Sequence, residues 1–323
     1  MTQREFAKKL SVSQATISMA LKDSPAISKE LKNRIKQMAK EVGYSPNIAG
    51  QLLRRGKNNL IGCIFPSVHS SYYSELLIEL FRSAQECGYL VILETINNDN
   101  DVKRAIENLK RQRISGIIAE SCAGAIKDFD PSIPTVFLEN YQYTPFDTDK
   151  FSAVYPDLYQ AGRDMAEYMI STGKTKFTFL GKYNKDEERY SGFCDVCSQY
   201  SWVEVNDLPH DKKYDENGGY ELTELLLKKY PETEIVLAHN DSMAIGVIRR
   251  LWELGIPVPG KIRVAGFDNN KFGKYSTPQL TTIGSDFQEF ASKVIQTLTE
   301  SVSKDGYKYR VPVNCKLEIR ESC

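Results

Sequence analysis

Polar side chains follow several apolar runs of this 323-residue sequence, at points where buried β-strands are expected to end. Glu139 follows PTVFL, Asn240 and Asp241 follow IVLAH, and Asp268 follows IRVAGF, while Arg189 stands in ERYSGF. Ligands of parallel α/β sheets bind beyond the carboxyl ends of the strands, so these side chains are expected to meet in one pocket. Carboxylate, amide and guanidinium groups predict hydrogen bonding to a hydroxyl-rich small molecule.

Catalysis is an alternative use of the same carboxylates, because Glu139 and Asp268 could act as an acid and a base in an α/β enzyme. The sequence shows no Ser–His or Cys–His constellation and no cluster of metal ligands. It also contains no G-x-G-x-x-G and no P-loop, which would indicate a dinucleotide or a nucleoside triphosphate. We therefore expect a binding protein with no cofactor and no metal.

The seven cysteines are odd in number and scattered along the chain, which favours reduced thiols over a disulfide framework. Cys194 and Cys197 form a C-x-x-C, but a structural zinc site needs two further ligands. The only histidines are dispersed, at His69, His210 and His239. We interpret the two cysteines as small residues on one turn of a helix.

The elements that must position the pocket are apolar runs of strand length alternating with amphipathic stretches, such as YSELLIELFRSAQECG and DMAEYMISTG. This alternation predicts parallel sheets built from right-handed units. No window approaches the roughly 20 apolar residues of a membrane span, and no signal peptide is present, so we expect a soluble, cytoplasmic protein. The expected strands are 60–65, 89–95, 116–121, 134–140, 176–181, 235–240 and 262–268.

Charge is distributed unevenly, although the 42 basic and 42 acidic residues cancel over the whole chain. Residues 1–57 contain 12 basic and 4 acidic residues, a net charge of +8, so the remainder carries −8. This asymmetry indicates a basic module that meets a polyanion, joined to an acidic body. A solvated basic helix face is the alternative, and charge alone does not separate the two.

Two short helices joined by SVS predict a helix-turn-helix near the N-terminus, over residues 3–10 and 13–21. Ala7, Val12 and Ile17 have the spacing required for the packing of the two helices, and Ser11 occupies a turn position that often holds glycine. Ser13 is the expected N-cap of the second helix. A third helix is expected from Ser28 to Gly43, with a buried stripe of Leu31, Ile35, Met38, Ala39 and Val42.

The segment YSPNIAGQLLRRGKNN follows, and Pro46 predicts the start of a short helix. Gly50 weakens that helix by about 1 kcal/mol relative to alanine, so it is expected to fold only when something packs on it. A hinge that folds on DNA and a plain interdomain linker both fit this pattern.

The motifs TQREFAKKLSVSQATISMAL and EVGYSPN, with the hinge segment, resemble the headpiece of the lactose-repressor/galactose-repressor family of bacterial transcription regulators. The resemblance implies a homodimer on double-stranded, near-palindromic operator DNA, with a recognition helix in each major groove and paired hinge helices in the minor groove. By position, Gln14, Ala15 and Met19 would face the bases, and Ser13, Thr16 and Ser18 would contact phosphates or base edges.

In the hinge, the resemblance places Asn47 at the DNA and makes Leu53 the wedge that opens a central base step. Met19 stands where many relatives have a long polar residue, often arginine. Methionine cannot form a bidentate contact to guanine, so contact with a thymine methyl group is the most that we expect there.

The resemblance extends along the body and implies the two-lobed fold of periplasmic sugar-binding proteins. It divides the chain into a headpiece (1–46), a hinge (47–59), an N-terminal lobe (60–154 with 284–308) and a C-terminal lobe (155–283 with 309–323). It matches Arg189, Asn240 and Asp268 to effector-binding positions and Tyr72, Tyr73 and Tyr214 to aromatic walls, while Glu139 replaces the more usual aspartate. The implied function is repression of a carbohydrate-utilisation operon, controlled by a sugar or a sugar derivative.

Two other classes of function stay open from the residues alone. A transport-type sugar-binding protein would explain the body but not the basic headpiece, and an α/β enzyme would rely on Glu139 and Asp268. The last expected strand, CKLEIRES, is followed by no leucine-heptad tail, so we expect a dimer rather than a tetramer.

Overall fold

The computed structural model describes residues 2–21, 23–44, 59–66, 68–120, 122–139, 150–181, 188–208, 213–303 and 308–323. These residues form two units, Met1–Asn59 and Leu60–Cys323. Each unit has its own hydrophobic core. No helix in the described part of the chain combines the length and the apolarity that crossing a membrane requires.

The described residues of the first unit form three helices, α1 (Gln3–Lys9), α2 (Gln14–Leu21) and α3 (Lys29–Glu41). Thr2 and Glu5 form a capping box at the start of α1, so each side chain accepts a hydrogen bond from the other residue's backbone amide. Ser28 caps α3 by accepting from the Leu31 amide, and Gly43 follows α3 with a positive φ of 62°. The predicted start and stop of the third helix are therefore confirmed.

The core of the first unit confirms the predicted packing of the helix-turn-helix. Ala7 and Ile17 are buried, and the half-buried Val12 packs beside them, its amide donating to the Ala7 carbonyl over 3.1 Å. Ser11, in the turn, has a φ of 55°, the left-handed conformation that glycine adopts at less cost. Tyr44 was not recognised from the sequence as part of this core, yet its ring stacks on Phe6 with centroids 4.2 Å apart.

In the second unit, the described residues form two six-stranded sheets, and each sheet defines a lobe. The sheet of the first lobe has the order β11-β5-β4-β3-β1-β2, and all its pairs are parallel. Its strands are β1 (Leu60–Phe65), β2 (Leu90–Thr95), β3 (Gly116–Ala119), β4 (Thr135–Phe137), β5 (Ser152–Pro156) and β11 (Arg310–Val313). The helices of this lobe are α4 (Ser71–Glu86), α5 (Asp99–Arg111) and α10 (Phe287–Ser303), with a 3₁₀ helix at Ala123–Asp128.

The sheet of the second lobe has the order β12-β10-β9-β8-β6-β7. Among the described strands of this sheet, only β12 runs antiparallel, and it pairs with β10 at one edge. Its strands are β6 (Lys176–Leu180), β7 (Glu204–Asp207), β8 (Ile235–Ala238), β9 (Arg263–Phe267), β10 (Thr281–Ser285) and β12 (Cys315–Glu318). Its helices are α6 (Leu158–Ser171), α7 (Glu188–Cys197), α8 (Glu216–Lys229) and α9 (Asp241–Glu253), with a 3₁₀ helix at Lys271–Lys274.

Along its described residues, the chain passes between the two sheets three times, between β5 and α6, between β10 and α10, and between β11 and β12. The predicted lobe boundaries near 154, 283 and 309 fall before these points. The predicted boundary near 309 differs most from the observed crossing. Residues 309–323 were assigned to the C-terminal lobe, but β11 (310–313) pairs with β5 in the sheet of the first lobe. The predicted strands also ran too far at their carboxyl ends, since residues such as Asn240 and Asp268 turn out of the sheet.

Apolar clusters lie on both faces of each sheet, which explains why the strand sequences are continuously apolar. The first lobe is completed by residues that come late in the chain, since Phe290, Val294 and Leu298 of α10 pack with Ile61 of β1 and Leu80 of α4.

A pair of glycines sets the distance between α6 and α7, and α7 carries Arg189 in its first turn. A Cβ at Gly162 would overlap the Arg189 carbonyl oxygen, and a Cβ at Gly192 would overlap the Tyr159 carbonyl oxygen. The two helix backbones therefore touch at these positions, and the start of α7 is held against α6.

We predict that Gly192→Ala lowers the free energy of unfolding by more than about 2 kcal/mol, because the added methyl group forces two packed backbones apart. Gly88→Ala is the matched control: its φ is 78° but no atom lies within 4 Å of the position that a methyl group would take. Its cost should be only the backbone strain of about 1 kcal/mol. Urea unfolding of both variants measures the difference, and equal losses would contradict the close packing of α6 on α7.

Candidate functional site

The second helix of the first unit begins at a side-chain cap. The Ser13 hydroxyl accepts from the Thr16 amide over 3.0 Å and lies 2.8 Å from the Thr16 hydroxyl. This confirms the predicted N-cap, and it means that these two hydroxyls hold each other in place at the amino end of α2. The free amides of this end and its partial positive charge suit a phosphate oxygen.

The face of α2 that points away from the core carries the side chains predicted to contact DNA bases. Ile17 and Ala20 are fully buried, whereas Ala15 is exposed and Met19 is 37% exposed. Ala15 and Met19 are four residues apart and therefore lie on one face of the helix. Gln14, Thr16 and Ser18 are half-buried at its margins, and the Gln14 carbonyl accepts from the Gln3 side chain over 3.0 Å.

Exposed cations accompany this helix, including Lys8 and Lys9 at the end of α1. Lys36 instead approaches Asp23 to 2.6 Å, and Lys32 donates to the Asp23 carbonyl, so these two lysines fix the connection from α2 to α3. The predictions for Pro46, Asn47, Gly50 and Leu53 lie outside the described residues and stay predictions.

A cavity of about 490 Å³ lies between the two lobes of the second unit. All seven residues predicted from the sequence to bind a small molecule line this one cavity, from both lobes: Tyr72, Tyr73, Glu139, Arg189, Tyr214, Asn240 and Asp268. The cavity lies at the carboxyl ends of strands, as expected for ligand sites of parallel sheets. Its volume is within the usual range for small-molecule sites, roughly 300–1,000 Å³.

Asp268 follows β9 and has a φ of 102°, a conformation that side-chain-bearing residues rarely adopt. Its amide donates to the Ile283 carbonyl over 2.9 Å, and the backbone of β10 approaches it so closely that a Cβ at Gly284 would overlap it. Burial raises the pKa of the Asp268 carboxyl to about 7, although the positive charge of Arg189 acts to lower it. Strain and an unfavourable charge are thus both concentrated at one residue that lines the cavity.

The turn that carries Asp268 rests on buried polar contacts. Asp241 accepts from the Thr282 hydroxyl over 2.5 Å and from the Asn270 amide over 2.8 Å. Arg320 donates to the Asn269 side chain over 2.7 Å from the other side. Asp241, grouped with Asn240 in the sequence, therefore lies beneath the cavity and holds its wall in place.

Asn240 caps α9, because its side-chain oxygen accepts from the Met243 amide over 2.9 Å. Its side-chain nitrogen donates to the Tyr214 carbonyl over 2.9 Å. Among the described residues, these two contacts leave one N–H of the Asn240 amide for a ligand.

Arg189 reaches from the first turn of α7 to the end of β8, where its guanidinium donates to the His239 carbonyl over 2.6 Å. It also lies over the Phe267 ring, 5.4 Å from its centroid. These contacts orient the guanidinium at the cavity wall, where a ligand oxygen would receive a charge-assisted hydrogen bond.

Aromatic rings cover both sides of the cavity. Tyr72 and Tyr73 meet edge to face with centroids 5.4 Å apart, and Phe287 packs on Tyr72 at the same distance. In the second lobe the Tyr214 ring stacks on His239, 4.0 Å away. Such faces suit the apolar side of a sugar ring.

Several residues that line the cavity were not recognised from the sequence: Glu120, Tyr155, Glu188, His239, Ser285 and Cys315. Glu120 directly follows β3, so the expectation that ligand residues follow strands could have identified it. Glu188 could have been identified because it is the neighbour of Arg189 in the sequence. Tyr155 and Ser285 belong to β5 and β10, which the apolar pattern did not reveal.

Cys194 and Cys197 lie on α7 as free thiols, and burial raises the pKa of Cys197 to about 12. The interpretation of the pair as residues of one helix turn is confirmed. No group of three or more His, Cys, Asp or Glu side chains arranged to hold a metal ion occurs among the residues that the structure describes. His210 lies outside them.

Two family models match the chain, one described as bacterial regulatory proteins of the lacI family over residues 2–47 and one as a periplasmic binding protein-like domain over residues 166–323. The ribose operon repressor of Escherichia coli is 26% identical over 313 residues, covering 94% of this chain and 93% of its own. The structure of the Lac repressor dimer bound to operator and the anti-inducer ONPF has a TM-score of 0.82 at 22% identity, covering 100% of this chain and 98% of its own. A complex of the transcriptional regulator CelR with cellobiose has a TM-score of 0.71 at 19% identity, and the match covers 100% of both chains.

The raised pKa of Asp268 predicts a pH-dependent cost of folding. The ordinary pKa of an aspartate carboxyl is 3.8. Between about pH 4 and 7, Asp268 is therefore ionised in the unfolded chain but protonated in the folded chain. The free energy of unfolding consequently falls as pH rises through this interval. We predict that Asp268→Asn, which cannot ionise, stabilises the protein more at pH 8 than at pH 5, by up to about 3 kcal/mol.

Urea unfolding at the two pH values measures this difference. Asp130→Asn is the control, because hydrogen bonds from Ser132 and Lys110 lower the pKa of Asp130 to about 2, below the tested interval. Its effect should be the same at both pH values. An Asp268→Asn effect that is also independent of pH would show that the carboxyl is not held protonated.

Proposed function

Because the chain belongs to the lactose-repressor/galactose-repressor family of bacterial regulatory proteins, we propose that it is a DNA-binding transcriptional regulator controlled by a small molecule. The observation that carries this proposal is the combination, on one chain, of an exposed helix-turn-helix face with a cavity lined by all seven predicted ligand residues. We propose that it acts as a homodimer on near-palindromic operator DNA, with a sugar or sugar derivative as effector. The ribose operon repressor and the cellobiose-bound CelR support the choice of a carbohydrate.

The cavity lies between lobes, and this arrangement gives the effector a way to act. A ligand changes the population of lobe arrangements only if it binds them with unequal affinity. Glu139 and Tyr72 come from the first lobe, whereas Arg189 and Asp268 come from the second, so a ligand in contact with all four depends on how the lobes meet. A change in that arrangement would alter the affinity for operator.

We propose a binding rather than a catalytic role for Glu139 and Asp268. The relatives that match over nearly the whole chain are named as transcriptional regulators, which supports this choice over an α/β enzyme. A transport role would leave the basic headpiece without a use. We also propose that the protein acts in the cytoplasm, where its DNA is.

The proposal is tested by selecting DNA from a random pool with the full chain and measuring affinity for the selected site by fluorescence anisotropy. Sugars and small metabolites are screened by thermal shift, because a ligand at 100 times its dissociation constant adds about 2.7 kcal/mol of stability. The proposal expects a selected near-palindromic site and a compound that changes affinity for it. Selection that enriches no sequence would contradict it.

Lys8→Gln and Lys9→Gln are predicted to weaken binding to all DNA sequences to a similar extent. Exposed lysines act on the phosphate backbone by counterion release, so each loss should also reduce the slope of log affinity against log salt by about 1. Anisotropy over a salt series, with the selected site and a scrambled site, measures both effects. Lys103→Gln, on an exposed position of α5, is the control, and a loss confined to the selected site would argue against a backbone role. Arg54, expected to behave like the two lysines, lies outside the described residues.

Arg189→Ala is predicted to abolish the response to the effector while leaving affinity for operator without effector within a few-fold of the wild type. The guanidinium is the one Lys or Arg side chain among the described residues that line the cavity. Arg104→Ala is the control, because that side chain is 59% exposed and pairs with Asp101 on α5. Anisotropy with and without effector distinguishes the outcomes: a retained response would refute the cavity assignment, and a loss of binding without effector would make Arg189 structural.

A further inference from the structure

The segment that carries Asp268 makes a direct hydrogen bond to the other lobe. The Lys271 amide, at the start of the 3₁₀ helix Lys271–Lys274, donates to the Glu75 carboxylate over 3.1 Å. Glu75 belongs to α4 of the first lobe, whereas Lys271 lies in the second lobe, three residues after Asp268. This contact, called here the interlobe hydrogen bond, therefore ties the two lobes together beside the cavity.

The amides around Lys271 show how this contact differs from its neighbours. Each of the six consecutive amides of residues 268–273 donates a hydrogen bond, and five of them donate within the second lobe. Their acceptors are the Ile283 carbonyl, the Thr282 hydroxyl, the Asp241 carboxylate and, for two amides, the Asn270 side chain. Of these six amides, all in the described part of the chain, only that of Lys271 donates to the first lobe. A movement of the lobes can thus break this bond while the rest of the segment stays in place.

The surroundings of Glu75 give the interlobe hydrogen bond its weight. Glu75 is half-buried, and burial raises its pKa, while the bond from the Lys271 amide and the charges of Lys271 and Lys274 act to lower it. A half-buried carboxylate that loses such a donor is left with less compensation for the water it has given up. A hydrogen bond to a charged group changes an equilibrium by about tenfold. Removal of Glu75 should shift the balance between lobe arrangements by that factor.

Both partners of the interlobe hydrogen bond stand next to residues that line the cavity. Tyr72 lies three residues before Glu75 on the same face of α4, and Asp268 lies in the segment that leads to Lys271. A ligand in contact with Tyr72 and Asp268 therefore acts on the same two elements that the bond joins. The cavity and the bond depend on one variable, the position of one lobe relative to the other.

We propose that Glu75 is a positioning residue for regulation, which stabilises one of two lobe arrangements by accepting from the Lys271 amide and so sets the affinity for DNA. This inference rests on the proposed function, because it states how the two arrangements of that regulator are balanced. Neither residue needs to touch DNA or effector. Linkage makes the coupling reciprocal: if the bond changes the affinity for DNA, bound DNA must change the stability of the bond.

Hydrogen exchange at the Lys271 amide, in the full wild-type chain with and without the DNA site selected from a random pool, measures this reciprocity. Lys271 is exposed, so the interlobe hydrogen bond should account for the protection of its amide. Bound DNA should change the exchange rate at Lys271 by about threefold or more. The amides of Asn269 and Asn270, whose acceptors lie in the second lobe, are internal references and should change by less than about twofold.

Glu75→Ala removes the acceptor and should change the affinity for the selected site by about threefold or more, when both arrangements are populated. The exchange result fixes the direction. DNA that slows exchange at Lys271 prefers the bonded arrangement, so the variant should bind more weakly, and DNA that speeds exchange predicts tighter binding. Fluorescence anisotropy without effector measures the affinity.

Two further variants separate this role from a general loss of structure. Glu75→Gln keeps a side-chain oxygen that accepts from the Lys271 amide and should stay within about twofold of the wild type. Glu79→Ala, one turn further along α4, loses only a pair with Arg82 of the same helix and should do the same. Thermal unfolding checks that each variant is folded.

The inference is overturned if DNA leaves exchange at Lys271 unchanged, if Glu75→Ala shifts affinity against the direction that exchange fixes, or if Glu75→Ala binds like Glu79→Ala. The proposed function fails differently, because selection then enriches no DNA sequence. A selected site whose affinity is independent of Glu75 would leave the regulator in place and reject only the role of the interlobe hydrogen bond.

Discussion

The backbone turn after β9 is the constraint on which the ligand cavity depends. It holds Asp268 in a left-handed conformation against β10, and it does so because Asp241, Thr282 and Asn270 form a buried polar network beneath it. A buried network of this kind is stable only when its members are all bonded, so the turn has little freedom to relax. The strained acidic residue that lines the cavity is thus supported by Asp241, Thr282 and Asn270, which are not among the described residues of the cavity lining.

The two lobes are also connected outside the cavity. Three passages of the chain join them, and outside the cavity the Lys271 amide of the second lobe donates to the Glu75 side chain of the first over 3.1 Å. Each lobe has its own core on both faces of its sheet. Two internally rigid bodies with a narrow connection can change their relative angle at low cost, which is what a sensor needs.

The cavity was more predictable from the sequence than the fold was. Polar residues at the ends of apolar runs located Glu139, Asn240 and Asp268, because a strand end is a local event that a few residues define. The strands β5, β7, β10 and β11 were not recognised as strands, since they are short and mix polar with apolar residues, so only their place in the sheets defines them. The role of Asp241 was equally hidden: nothing near it in sequence shows that Thr282 and Asn270 come to meet it.

The late completion of the first lobe has a consequence for synthesis on the ribosome. The helix-turn-helix is finished within the first 44 residues, whereas the first lobe must wait for α10 and β11, more than 280 residues from the start. Until then, the faces of β1 and α4 that α10 will cover are open to other apolar chains. A prematurely released chain would thus carry a complete helix-turn-helix and an incomplete ligand-binding unit. Such a chain would bind DNA without being able to respond to metabolite levels.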